Sequence, residues 1–363
     1  MKIEDAFSIN RIDELKTALI EVYKRRNTPP DNSYSKLLEY TNSVLENENQ
    51  SRRPADSNGL PGGIVCLKPD ITTIIVPDLH GRIKFLLNLL AFTDQSGTSI
   101  LQKLAFNQIQ IVCVGDGFHS EYKTEERWKA SYLEFVDGYR KSRNMDREMS
   151  NNFRLMEIVQ LVKISFPENF HFLKGNHENI KNEKEKGNHI FRKFAFESMM
   201  VYEYVKKFYD KQFLDLYYQF EKNMPLLAIG KNFLVSHAEP KSFFNRSSVI
   251  EYRKNPHVVE GLTWTSDGAA ENGSVEKMLK YYLSEKNISQ SHFYFGGHRS
   301  IRKLYNLRAR GKYVQFHNPA KFAIVLIEKG LEIDLERDIF ELEDMVNKTI
   351  SIRSLKSLKS LFS

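Results

Sequence analysis

Five times along this chain a hydrophobic, strand-like run stops at a side chain able to bind a metal or move a proton. The runs are Ile71–Val76, Ile109–Val114, Phe170–Leu173, Phe233–Val235 and Phe293–Phe295. The groups that end them are Asp78-Leu79-His80-Gly81, Gly115-Asp116, Gly175-Asn176-His177-Glu178, Ser236-His237-Ala238 and Gly297-His298. Helical patterns, such as the one over 83–92, alternate with these runs. Strands that alternate with helices and carry polar residues just past their ends predict a layered α/β fold with its site at one edge. Buried Asp and His at several strand ends need partners, and bound cations satisfy them together.

At 363 residues the chain exceeds the usual size of one core, which allows one elaborated domain or two. A composition of 41% hydrophobic and 27% charged residues fits a soluble globular protein. No apolar run is long enough to span a bilayer, so no membrane span is expected. The start, Met1-Lys2-Ile3-Glu4-Asp5, lacks the apolar centre of a secretory leader. Cys66 and Cys113 do not make a disulfide framework, and a reducing, cytoplasmic setting is expected. The net charge of +7 favours anionic ligands. Basic residues are spread along the chain without an aromatic-interleaved block, so a lysine-rich surface is expected and no dedicated nucleic-acid module.

Residues up to about Glu48 read as helical, with Ile9, Ile12, Leu15, Leu19 and Val22 at helical spacing. Asn27-Thr28-Pro29-Pro30-Asp31 breaks that pattern, and a second helical piece covers Leu37–Leu45. The stretch 48–63 is polar and then Pro/Gly-rich. The expected organisation is therefore an N-terminal helical extension and linker over 1–63, the motif-bearing unit over 64–340, and a basic amphipathic tail over 341–363. That tail carries Ile352, Leu355, Leu358 and Leu361 among lysines and serines. Residues Ile190–Phe220 read as two aromatic-rich helices, and further strands are expected at Tyr313–Phe316, Phe322–Ile327 and Leu331–Leu335.

The ordered Asp/His, Asp, Asn/His, His, His series suits hydrolysis of a phosphate ester. That reaction needs a strong nucleophile and neutralised charge on the phosphoryl oxygens; two cations about 3.5–4 Å apart supply both, deprotonating the water that bridges them. Asp78 and His80 can turn toward one ion, Asp116 is the natural bridge, and Asn176, His237 and His298 complete the second. Mixed O/N ligation without thiolate suits divalent or trivalent Mn, Fe or Zn. His177 directly follows Asn176, points elsewhere, and is placed as general acid toward the leaving oxygen.

The motifs resemble those of the calcineurin-like metallophosphoesterases, and within them the phosphoprotein phosphatase branch of Ser/Thr protein phosphatases. Pro77-Asp78-Leu79-His80-Gly81 is similar to that branch's Asp-x-His-Gly, and Leu173-Lys174-Gly175-Asn176-His177-Glu178 to its Gly-Asn-His-Glu. Leu262-Thr263-Trp264-Thr265-Ser266-Asp267 resembles its Leu-x-Trp-Ser-Asp, and Phe316-His317-Asn318-Pro319 falls where the branch has a loop ending in Ala-Pro-Asn. The resemblance covers about Ile71 to Ile327. It implies a four-layer α/β fold, a two-sheet β-sandwich flanked by helices, with a bimetal site at the strand ends.

Two departures bear on substrate choice. Where the branch has Gly-Asp-x-x-Asp-Arg-Gly, this chain reads Gly115-Asp116-Gly117-Phe118-His119-Ser120-Glu121. His119 thus replaces the carboxylate that supports the general acid, with Glu121 a candidate to fill in, and Ser120 replaces a phosphate-binding arginine. The branch's Asn-Asp-Arg-Gly segment is also absent. Arg82, Arg127, Arg299 and Arg302 are candidate replacements, with Arg299, beside His298, best placed, and His119 a further substrate contact. The expected function is a metal-dependent phosphatase acting on phosphorylated protein or a small phosphate ester. A nucleotide or dinucleoside polyphosphate hydrolase, a nuclease of the same superfamily, and a non-catalytic binding homologue are the alternatives.

Overall fold

The computed structural model describes residues 9–94, 96–284 and 289–344; the amphipathic tail expected beyond them lies outside the described residues. Two helices open it, α1 (Ile9–Lys24) and α2 (Asp31–Glu46). Then come β1 (Ile64–Cys66), β2 (Thr72–Val76), α3 (Ile83–Ala91), α4 (Ile100–Ala105), β3 (Ile109–Cys113), α5 (Glu125–Val136), α6 (Arg143–Ser165) and β4 (Phe170–Phe172). They are followed by α7 (Glu197–Phe208), α8 (Lys211–Lys222), β5 (Leu227–Ile229), β6 (Phe233–Ser236), α9 (Arg246–Ile250), α10 (Pro256–Thr263) and α11 (Ser274–Tyr282). The last elements are β7 (Phe293–Gly296), β8 (Asn306–Arg308), β9 (Tyr313–Gln315), β10 (Ala323–Ile327), α12 (Leu335–Asp338) and β11 (Ile339–Glu341).

The strands form two sheets, ordered β1-β5-β6-β7-β9-β8 and β11-β10-β2-β3-β4. Side-chain alternation explains why they stack. On β2 and β3, Ile74, Val76, Ile111 and Cys113 face the helices, whereas Ile75, Val112 and Val114 face the other sheet. There they meet Val235, Phe295, Val314 and Phe316. Behind the six-stranded sheet, Leu227, Leu234 and Tyr294 pack with Val249, Leu262 and Met278 from α9, α10 and α11. The result is helix, sheet, sheet, helix: the expected four-layer α/β sandwich.

The N-terminal helices share the core of the first helical layer. Ile12, Leu15, Leu19 and Val22 of α1 and Tyr34, Leu38 and Leu45 of α2 join the cluster that holds Phe153 of α6 and Phe213 of α8. The ring of Tyr34 meets Phe153 edge-on at 5.5 Å. One expected strand is absent: 331–335 does not pair with a sheet. Gly330 turns the chain at φ 80°, and the Asp334 carboxylate accepts from the backbone N–H groups of Glu336 and Arg337, which starts α12 instead.

A buried ionic cluster fastens the segment after α2. Glu48 pairs with both Arg53 and Lys163, and all three side chains are at most 7% exposed. Arg53 also donates to Gly62 O (2.9 Å), and Lys163 to Phe170 O (3.1 Å) at the start of β4. Burial alone raises the Glu48 carboxyl, but Lys163 and Arg53 outweigh it and hold the group down at about 2 against an ordinary 4.5. Because the folded value is depressed, this stabilisation is complete above about pH 4.5 and is lost as pH falls through about 2. Glu48→Gln strands two buried cations and is expected to cost about 3–5 kcal/mol at pH 7. Urea melts of wild type and variant should converge as pH drops across that window; a constant gap would show that the ion pairs contribute nothing.

Candidate metal centre

β2, β3 and β4 run parallel in one sheet, and β6 and β7 run parallel in the other. Their carboxyl ends therefore open on one edge of the sandwich, and the side chains just past them converge. Asp78 and His80 follow β2, Asp116 follows β3, Asn176 and His177 follow β4, His237 follows β6 and His298 follows β7. His80, Asp116 and His298 hold left-handed backbone, with φ of 42°, 54° and 63°. Non-glycine residues in that region are strained, and such strain collects where a side chain must be aimed.

Glycines beside these groups allow the close approach. A Cβ at Gly175 would overlap Asp116 Oδ1, and one at Gly297 would overlap Asp78 Oδ1. Glu178 pins the same loops: its carboxylate accepts from the backbone N–H groups of Asp116 (3.0 Å), Gly117 (2.7 Å) and Gly175 (2.7 Å). Sequence reading placed Glu178 in a motif without a role, since nothing in its spacing reveals backbone partners.

The imidazoles are turned inward by their outer nitrogens. His80 Nδ1 lies 3.0 Å from Phe118 O, and His237 Nδ1 lies 3.0 Å from Val114 O. A carbonyl only accepts, so each Nδ1 carries the proton and each Nε2 presents a lone pair. Asp116 Oδ1 accepts from the backbone N–H of His177 (3.0 Å), while Oδ2 has no hydrogen-bond partner. That Oδ2 sits 3.7 Å from His80 Nε2 and 3.3 Å from His237 Nε2, between two groups of donors. In the second group, Asn176 Oδ1 lies 2.9 Å from His237 Nε2 and 2.8 Å from His298 Nδ1.

The charge state of this array points to cations. Burial, then Glu121, pushes the Asp78 carboxyl well above its ordinary range; burial, then Glu178 and Asp78, does so for Asp116. Burial depresses His80, His237 and His298, holding the imidazoles neutral. Asp78 Oδ1, Asp116 Oδ2, His298 Nε2 and His317 Nδ1 are buried without partners. Clustered carboxylates, neutral imidazoles and orphaned acceptors are what dications stabilise, so the residues fit a metal centre. Three ligand-like groups meet the spacing: Asp78 with His80 and His317, His80 with Asp116 and His177, and Asp78 with Asp116 and His237.

His177 stands beside this array with Nε2 3.7 Å from Asp116 Oδ2. Its Nδ1 lies 2.8 Å from His119 Nδ1, so His119 does occupy the place beside it. Phe191 covers His177 at 3.8 Å between ring centres and stacks on His119 at 5.2 Å. Glu121, the candidate to fill in, raises the His177 pKa through its charge, but its close approaches are to His317 Nε2 (3.4 Å) and His80 Nε2 (3.8 Å). The arginines divide clearly. Arg82 donates to the carbonyls of Asp78, Leu79, Asn318 and Lys321, which fastens two loops and leaves its guanidinium little capacity for phosphate. Arg127 pairs with Glu148. Arg302 is exposed, and Arg299, also exposed, donates to Ser266 Oγ at 2.7 Å. Lys193, which sequence reading missed, reaches the site through Glu121 Oε1 at 2.8 Å.

The profile of the calcineurin-like phosphoesterases matches residues 71–319, and the chain belongs to that family. It is a metal-dependent hydrolase of phosphate esters. Its fold is similar to a protein serine/threonine phosphatase from Saccharomyces cerevisiae, itself described as similar to human phosphatase PP5. That likeness has a TM-score of 0.53 at 13% identity and covers 89% of this chain and 90% of the other. A cold-active protein-tyrosine phosphatase of a psychrophilic Shewanella species matches at TM-score 0.36 and 14% identity, covering 72% of this chain and 77% of that one. No curated protein sequence matches. Among the described residues, a cleft of about 1410 Å³ lies apart from the Asp/His array, lined by Lys24, Arg26, Lys84, Lys141, Arg143 and Arg147 among others.

The packing of Gly297 on Asp78 generates a test. Gly297→Ala must displace the Asp78 carboxylate and should lower metal affinity about tenfold or more, by analogy with losses from outer-shell changes. Titration calorimetry with Mn²⁺ on the folded variant checks it; unchanged affinity would mean Asp78 does not hold metal.

Proposed function

We propose that this protein is a phosphomonoesterase acting on phosphoserine or phosphothreonine in proteins, with residues 64–340 as its catalytic unit. Asp78 and His80 would hold one ion and Asn176, His237 and His298 the other, with Asp116 shared between them. When bound, the two ions, of Mn, Fe or Zn, supply the activated water and neutralise phosphoryl charge. The observation that carries this reading is the unpartnered Asp116 Oδ2 lying between His80 Nε2 and His237 Nε2. Arg299 provides cation for the substrate phosphate. Arg299 is best suited because a guanidinium can take two phosphate oxygens in one fork. No helix among the described residues is long and apolar enough to cross a membrane. Free Cys66 and Cys113 support a cytoplasmic setting.

The test is a substrate panel with Mn-loaded protein: phosphopeptides, p-nitrophenyl phosphate, bis-p-nitrophenyl phosphate and diadenosine tetraphosphate. Phosphopeptides should be turned over fastest, and Asp116→Asn should lose most activity while remaining folded. Preference for diadenosine tetraphosphate would assign a nucleotide hydrolase, preference for the diester a nuclease, and no turnover a binding protein.

His177 acts on the leaving group in this reading. The two Nδ1 atoms of His119 and His177 share one proton, and whenever His119 donates it, His177 keeps its own proton on Nε2. His177→Asn should therefore slow alkyl phosphates, whose leaving groups need that proton, by about 10²–10⁴-fold, and aryl phosphates far less. Equal losses on both classes would assign His177 to positioning.

A further inference from the structure

We infer that His317 is a metal ligand, completing with Asp78, His80 and the bridging Asp116 a set of protein ligands for the first ion, and that Glu121 positions it. This rests on the two-ion reading above. His317 obeys the same strand-end rule as the other groups: it lies just past β9, which runs parallel to β7. The pairing extends through Phe316 N–H to Gly296 O (3.1 Å), and Ile301 N–H donates to His317 O (2.9 Å), which fixes the turn. The side chain is 1% exposed, and its ring centre is 5.2 Å from that of His80.

Ring orientation assigns the role of each nitrogen. Nε2 faces Glu121 Oε2 at 3.4 Å, and a carboxylate takes the N–H there. Nδ1 is then bare, has no hydrogen-bond partner, and points at Asp78 Oδ2 at 3.8 Å. Its unpartnered lone pair is aimed at a carboxylate of the metal array, and a cation held between the two would satisfy both. His80 and His237 follow the same logic with the ring reversed, their outer N–H spent on a carbonyl. Lys193 pairs with Glu121 Oε1 at 2.8 Å and so steadies the carboxylate that orients His317. The two ions thereby receive matched sets, Asp78, His80, His317 and Asp116 for one, Asp116, Asn176, His237 and His298 for the other.

The experiment loads full-length wild type, His317→Ala and Glu121→Gln with Mn²⁺ and measures bound metal by elemental analysis, affinity by calorimetry and ion–ion coupling by electron paramagnetic resonance. Wild type should hold two coupled ions. His317→Ala should keep one and bind the other at least tenfold more weakly, with the uncoupled spectrum of a single ion. Glu121→Gln should weaken the same ion by about 10–100-fold without touching the second. If His317→Ala does not fold, Glu121→Gln decides alone. Wild type with two ions beside variants whose affinities are unchanged overturns the assignment of His317. Wild type holding fewer than two overturns the two-ion reading, and this inference with it.

Discussion

Asp78 and Asp116 are two carboxylates taken almost wholly out of water, and the rest of the site is organised around that cost. An isolated buried carboxylate protonates sooner than it stays charged, and a pair makes matters worse. Only part of their acceptor capacity is met by backbone, through His298 N–H on Asp78 and His177 N–H on Asp116. The oxygens left over face neutral imidazoles, which offer lone pairs and no proton. A protein that keeps such an array folded has stability to gain from bound cations.

The sandwich makes the array possible because two sheets deliver their strand ends to one edge. Parallel neighbours place β2, β3 and β4 ends side by side, and β6, β7 and β9 ends opposite them. Strand ends fix a side chain only if the following turn is rigid. Here that rigidity comes from Glu178, which ties the loops after β3 and β4 together, and from Arg82, which ties the loop after β2 to the segment around Asn318. Two charged residues of the motifs thus act on backbone, and the left-handed residues they help hold are the ones that carry functional side chains.

Much of this was legible in the residues. Apolar, strand-like runs of three to six residues, each closing on Asp, Asn or His, set out both the strands and the convergence, because period-2 burial leaves the sheet ends as the place for polar groups. What escaped depended on contacts distant in sequence. Lys193 gains meaning only through Glu121, and for His317 the family loop left approach to the site and a structural role both open until β9 was seen to pair beside β7. Arg82 looked like a free cation until four carbonyls surrounded it. Basic residues scattered from Lys24 to Arg147 line one cleft in space, which no linear block announces. The short strands β1, β5 and β8 lacked enough residues to show alternation, and Leu331–Leu335 showed apolar spacing but met a cap at Asp334.

The exchange at His119 changes the chemistry that His177 can offer. A carboxylate partner accepts the Nδ1 proton and favours the imidazolium; a second imidazole accepts it without charge, and burial with His119 as neighbour lowers the His177 pKa. Phe191, stacked on His119 and tilted against His177, adds to the burial that keeps both rings neutral. In the proposed reaction the pair would serve as a neutral donor whose tautomer decides whether Nε2 bears a proton. Such a donor needs a strongly polarised leaving oxygen to be effective. In the proposed reaction the burden of charge stabilisation would then fall on the metals and on exposed cations at the rim, Arg299 above all. Among the described residues the Arg299 guanidinium is fixed by no carboxylate and donates to Ser266 Oγ, which leaves it free to meet a phosphate in the proposed reaction.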